Sequence, residues 1–249
     1  MVNLWRGESN VEIEAALAAT YPTLQLFVEN GKRIIRGAFN VEHGGQFLGV
    51  FQVEVLLDET DVLGLPIVKE VGGRIPRVPE RHINRRDGSA CLYLPEDLVM
   101  RTKEPFGIVA FLDGPVRSFF VGQLCVESGD PFPFGEWGHG VDGARELLLD
   151  LFGFDDLTLC VAFLDLLSRK VIKAHWPCPC GNRRALRDCH YRLVQRVRHR
   201  LSLRTRRFLL SQARMHLLST KTEEARGSEE GAGHEVKIGG GMWQRNCPA

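Results

Sequence analysis

Four side chains of metal-ligand type fall within thirteen residues of one another: Cys178, Cys180, Cys189 and His190. No other feature of the chain limits its local structure as sharply. Thiolate and imidazole are the donors that hold a tetrahedral zinc ion, and four of them fill every position, so the expected site is closed and structural. His175 stands close by, as a substitute ligand or as a helix-end residue. The chain has seven cysteines, an odd number, and no apolar leader precedes them. A disulfide scaffold is therefore not expected, and a reducing, cytoplasmic setting is.

A knot this small cannot bury a sizeable core, so the metal should supply much of its folding free energy. Loss of a ligand should then unfold the knot and leave the first 155 residues largely intact. The remainder has ordinary globular composition, 44 % hydrophobic and 25 % charged, which excludes fibrous and wholly disordered classes. No uninterrupted apolar run reaches the roughly 18 residues of a membrane span. Charge is uneven. Residues 183–226 carry thirteen Arg or Lys against three acids, a local +10 within a total of +1. An acidic body thus bears a basic C-terminal segment, and the asymmetry suggests separate tasks.

The spacing of Ile13, Leu17 and Tyr21 predicts a helix over Asn10–Leu26, with Asn10 as N-cap and Pro22 as a closing signal. Strands are expected near Arg33–Val41, Phe47–Leu57 and Leu65–Val71, the first two joined at Gly44-Gly45. Gly72–Pro105 is rich in Gly, Pro and charge and reads as irregular. A strongly apolar helix follows at Pro105–Glu127, interrupted by Gly114-Pro115, then a turn-rich stretch, Gly129–Gly140. Further helices are expected over Gly143–Phe152, Asp155–Lys173 and Tyr191–Ser219. The layout is α+β, with helices from both ends on one face of an antiparallel sheet of about three to four strands. The domains expected are a front unit over residues 1–155, a connecting helix over 156–174 and the knot over 175–190. A basic amphipathic helix over 191–219 and a disordered tail over 220–249 complete the chain.

Within the irregular segment, Cys91 follows Gly88-Ser89 and has polar, turn-forming neighbours, so an accessible thiol is expected, with Arg85 and Arg86 placed to favour thiolate. The surrounding residues, His82-Ile83-Asn84 and Gly88-Ser89-Ala90-Cys91-Leu92 after Ile75-Pro76 and Pro79, resemble the ubiquitin-conjugating enzymes. That family carries His-Pro-Asn shortly before Gly-x-x-Cys-Leu. Ile83 in place of proline, and a shorter gap to the cysteine, resemble its divergent prokaryotic branch, found in antiphage systems. The resemblance implies a ubiquitin-conjugating-like fold and a transferase carrying a ubiquitin-like protein as a thioester on Cys91. Its implied partners are an activating enzyme and a protein target. Asn84 would steady the oxyanion and His82 would brace the loop. Asp87 would orient or deprotonate the amine, or simply form the turn before Gly88. His139 lies in a His-Gly element like one in prokaryotic relatives and is a further candidate.

The knot, Cys178-Pro179-Cys180-Gly181 with Cys189-His190, resembles the SEC-C zinc motif, with Asn182-Arg183 where Ser-Gly is usual. The resemblance implies a protein-interaction module. In the basic arm, Leu193, Val197, Leu201, Phe208 and Leu209 lie among arginines, an apolar stripe beneath a cationic face. Docking on the acidic body, on an acidic partner, on nucleic acid or on an anionic membrane all fit that pattern. Two rival readings follow: a zinc-containing adaptor in which Cys91 is inert, and a nucleic-acid-binding factor built on the arm.

Overall fold

Helix α1 (Asn10–Thr20) is capped by Ser9, not Asn10. Ser9 accepts from the Glu12 N–H, and the Glu12 carboxylate accepts from the Ser9 N–H at 2.8 Å, a capping box. The helix also ends at Thr20 rather than Leu26. Residues beyond Pro22 form strand β1 (Leu24–Glu29), which turns through Asn30-Gly31, both at positive φ, into β2 (Lys32–His43). Asn-Gly is the residue pair that a tight hairpin selects, and pairing with β2 decides the structure of a segment whose apolar spacing also suits a helix. Strand β3 (Gln46–Thr60) and β4 (Pro66–Glu70) complete a four-stranded antiparallel meander in the order β1-β2-β3-β4. The register shifts by a bulge between Val41 and Glu42, close to the Gly44-Gly45 turn. The computed structural model describes residues 2–133 and 141–230.

One face of the sheet is apolar and covered. Ile35, Phe39, Val41, Phe51, Val53, Val55 and Val68 are buried there, against Ile13 and Leu17 of α1 and a long helical rod. The rod comprises α3 (Ile108–Phe111), a π-helical turn (Leu112–Val116) and α4 (Arg117–Glu127). Pro115 has no N–H to donate, and the wider turn carries the helix past it, so Gly114-Pro115 reshapes the rod without breaking it. By length and composition alone Ile108–Glu127 would suit a bilayer, at mean hydropathy 1.3. In this fold Phe120 stacks on Phe51 at 4.5 Å and the rod is the core helix of the sheet layer.

The segment read as irregular contains a short helix, α2 (Pro95–Arg101), with proline in its first turn and Glu96 and Asp97 at its positive end. Behind the rod lie α5 (Val141–Phe152) and α6 (Leu157–Leu167), the latter capped by Asp156. The expected basic helix is two helices, α7 (Tyr191–Arg200) and α8 (Leu203–Glu230). They part at Leu201-Ser202, where Ser202 Oγ accepts from the Thr205 N–H at 3.0 Å and starts a new helix. Helix α8 continues past Ser219 to Glu230. Residues 231–249, and the disorder expected of them, lie outside the described residues.

The arm is docked on the body. Phe208, Leu209, Leu210 and Ala213 are buried, and Arg206 donates to the Leu167 carbonyl at 2.7 Å while Arg207 donates to that of Ser168 at 3.1 Å. These are carbonyls that the end of α6 leaves without helical partners. Arg214 pairs with Asp165 at 2.6 Å, and His216 Nε2 lies 3.1 Å from the buried Glu96 of α2. Cys178, Leu186, Val194 and Val197 belong to the same continuous core as the sheet and the rod. The knot is therefore built into the hydrophobic interior of the body, and independent unfolding of the knot is not expected from this packing.

Candidate functional site

Strand β4 supplies the frame for Cys91. The Ala90 N–H donates to the Val68 carbonyl at 2.8 Å, which lays residues 82–91 along that edge. There they fold as a small hairpin. Cys91 N–H donates to the His82 carbonyl at 2.8 Å, Ile83 bridges Ala90, and Asn84 N–H donates to the Ser89 carbonyl at 2.9 Å. Side chains alternate across such a ladder. Ile83 is buried on the inner side, which assigns Asn84, Ser89 and Cys91 to the outer side by register. Cys91 is exposed. Asn84 lies on its diagonal, a relation that separates residues by about 7–8 Å and their Cβ atoms by somewhat less.

The tip is fixed by its own polar side chains. Asn84 Oδ1 accepts from the Arg86 N–H at 3.0 Å, while Asp87 Oδ1 accepts from both the N–H and the hydroxyl of Ser89, at 3.0 and 2.7 Å. Gly88 sits at φ +72°, the left-handed conformation that closes the turn. The Asn84 amide therefore spends its oxygen on the turn, and its NH2 donates to no group among the described residues. That leaves a neutral donor on the face that carries the thiol. Asp87 is the turn residue, and the Ser89 donors hold its carboxyl below the usual range.

Electrostatics at Cys91 run opposite to the expectation from Arg85 and Arg86. Crowding of the sulfur by neighbouring protein, and then the Asp87 carboxylate, push the thiol up from its ordinary range. The two arginines are exposed at the tip, where their charges are screened by solvent. The resting side chain is the thiol, and alkylation by iodoacetamide should keep accelerating with pH beyond the range of a free cysteine. Asp87→Asn keeps the acceptor for Ser89 and removes the charge. It should raise the alkylation rate at pH 8 by about two- to fivefold, as expected for one solvent-screened charge; a slower rate would reverse the assigned sign.

His82 belongs to the scaffold. It adopts φ +51° and packs edge-on against Phe132, ring centroids 4.7 Å apart. Phe132 in turn lies over Gly122 of α4, where a Cβ would come within 2.1 Å of the ring. Next to it, Arg81 Nε donates to Gln123 Oε1 at 2.7 Å and Gln123 Nε2 donates to the Arg81 carbonyl at 2.8 Å, with Gln123 wholly buried. This clasp, which the sequence reading missed, fastens the hairpin to the rod; a lone glutamine on an apolar helix was its only signal. His139 lies outside the described residues.

In the segment after α6, Cys178, Cys180, Cys189 and His190 bring their donor atoms within 4.8 Å of one another. Cys178 Sγ is 3.3 Å from His190 Nδ1, Cys180 Sγ 3.5 Å from Cys189 Sγ, and Cys189 Sγ 3.0 Å from His190 Nδ1. Ligands around a tetrahedral ion at zinc–ligand bond lengths stand about 3.4–3.8 Å apart, so the four can close on one metal with small adjustments. His175 is not in the cluster. A short ladder holds the knot: Cys178 N–H donates to the Arg184 carbonyl at 2.9 Å and Leu186 N–H to that of Trp176 at 2.7 Å. Asn182 Nδ2 donates to Cys189 Sγ at 2.9 Å, the kind of outer hydrogen bond that steadies a ligating sulfur. Arg183 takes φ +60° at a position where the resembled motif has glycine. The His190 ring packs edge-on against Phe154 and Phe163, at 5.8 and 5.2 Å, and so joins the cluster to α6.

No family model, curated protein or solved structure matches this chain.

Proposed function

We propose that the chain is a ubiquitin-conjugating-like acyl carrier of the prokaryotic type, with Cys91 as its thioester residue and a structural zinc at the Cys178–His190 cluster. The observation that carries this reading is the outer face of the hairpin on β4, where an exposed thiol and the unengaged NH2 of Asn84 stand one diagonal apart. A thiol on an open edge is reachable by large partners, as exchange of a protein-borne acyl group requires.

In loading, Cys91 Sγ attacks the carbonyl carbon of a partner's thioester. A new C–S bond forms, the partner's C–S bond breaks, and the proton of Cys91 leaves with the departing thiolate. In transfer, an amine attacks the Cys91 thioester and negative charge develops on oxygen, where the Asn84 NH2 is the neutral donor. Collapse breaks the C–S bond and forms the amide. The expelled Cys91 thiolate takes up the surplus proton of the amine, which closes the proton balance. Asp87, held ionised by Ser89, is a weak base but a fixed negative charge that draws a lysine ammonium towards the hairpin.

Incubation with an activating enzyme, its ubiquitin-like protein and ATP should give an adduct that thiols release. Cys91→Ser should give a thiol-resistant ester adduct or none. A thiol-sensitive adduct that survives this substitution would overturn the assignment.

A further inference from the structure

We propose that the outer face of α7, with the adjoining edge of the knot, is a docking surface for the phosphate backbone of duplex DNA. Arg192, Arg196 and Arg200 occur at intervals of four along α7, and all three are exposed. On a helix that interval places side chains in a line, with about 5–6 Å between successive Cβ atoms. Arg183 and Arg184 of the knot are exposed as well. None of the five meets a carboxylate among the described residues. Several arginines elsewhere are paired, Arg33 with Asp58, Arg36 with Glu54, Arg74 with Glu127 and Arg214 with Asp165, whereas α7 lines up three without a pair. A line of guanidiniums with no carboxylate partner among the described residues is placed to meet an external anion, and the fork of arginine suits phosphate oxygens.

Two further observations argue against a lipid surface and against a single strand. An interfacial membrane helix needs apolar residues to insert beside its charges. Here Val194, Val197 and Leu201 point into the protein core, and no large apolar side chain of α7 is exposed. Single-strand binding uses exposed aromatic rings as stacking platforms, and no Phe, Tyr or Trp of α7 or of the knot is exposed. What remains is a row of cations with nothing to read bases, which is the chemistry of sequence-independent backbone contact.

The test is fluorescence anisotropy of the full metal-loaded chain with a labelled 20-base-pair DNA duplex, repeated from 50 to 200 mM KCl. Binding is expected to weaken with salt along a log–log slope of about −2.7 to −4.5, for about three to five neutralised phosphates. Arg192→Gln/Arg196→Gln/Arg200→Gln should weaken binding at 50 mM KCl by at least about 10²-fold and flatten the slope by about 3. Metal content and the unfolding midpoint should not change, since the three side chains pair with no carboxylate among the described residues. The lysine triple should keep most of the binding, while Arg101→Gln and Cys91→Ser should leave it as in the parent. The last comparison keeps this surface separate from the acyl-carrier reading. No duplex binding by the parent, an unaffected glutamine triple, or tighter arginine-dependent binding to vesicles with 30 % phosphatidylserine at the same salt would each overturn the proposal.

Discussion

Asn84→Asp is expected to slow acyl transfer from Cys91 by about 10²–10³-fold, the usual effect of removing one oxyanion donor. This substitution separates two functions that alanine would remove together. The Asn84 oxygen accepts from the Arg86 N–H and shapes the tip, whereas its NH2 donates to no group among the described residues. Aspartate keeps the acceptor and loses the donor, and its charge also opposes the forming oxyanion. The hairpin should persist, with iodoacetamide still reaching Cys91, while single-turnover transfer from preformed thioester to lysine falls. Asn84→Ala should show the same loss together with a loosened tip. A parental transfer rate in Asn84→Asp would reduce Asn84 to a turn residue and remove the main support for the acyl-carrier reading.

The second large effect concerns the metal. Cys189→Ser, or a strong chelator, should lower the unfolding midpoint by about 10 °C or more, which for a chain of this size is several kcal/mol. Structural zinc contributes on the order of 10 kcal/mol to isolated zinc-finger peptides, and packing around Leu186 and Val194 should retain part of the fold. The loss should not stop at the knot. His190 is wedged against Phe154 and Phe163, so near-ultraviolet circular dichroism from this aromatic cluster should change with metal loss. Because thiol and imidazole ligands bind metal only when deprotonated, acid should reproduce the effect and readdition of metal at neutral pH should reverse it. Elemental analysis should give one zinc per chain. A metal-free protein with the same midpoint would leave the four residues as a thiol cluster without a structural ion.

Much of this architecture is legible in short-range chemistry. Gly44-Gly45 marks the turn between β2 and β3, and the density of apolar residues over Phe106–Leu124 marks the core helix. The cluster of Cys178, Cys180, Cys189 and His190, which could hold a metal, can be read directly from its close spacing. What escapes the sequence reading has a physical cause in each instance. Leu24–Glu29 has apolar spacing that serves a helix or a strand, and its partner β2 decides. Ser9 and Ser202 start helices through hydrogen bonds that their neighbours Asn10 and Leu201 obscure. The sign at Cys91 depends on local crowding and on the distance to Asp87, neither of which is encoded in the adjacency of Arg85 and Arg86. The arm reads as a cationic appendage because its charges are visible in sequence, while the carbonyls that Arg206 and Arg207 cap belong to a helix about forty residues away.

Those same two arginines set a rule for anyone grafting parts of this molecule. Helix α6 and the start of α8 are halves of one joint, and α8 also reaches back to Glu96, five residues beyond Cys91. A chimera whose seam falls between Ser168 and Ser202 would leave both halves with mismatched ends, even if every metal ligand were retained. Exchange of the C-terminal half for another module calls for a junction upstream of α5, and for redesign of the surface that α2 presents.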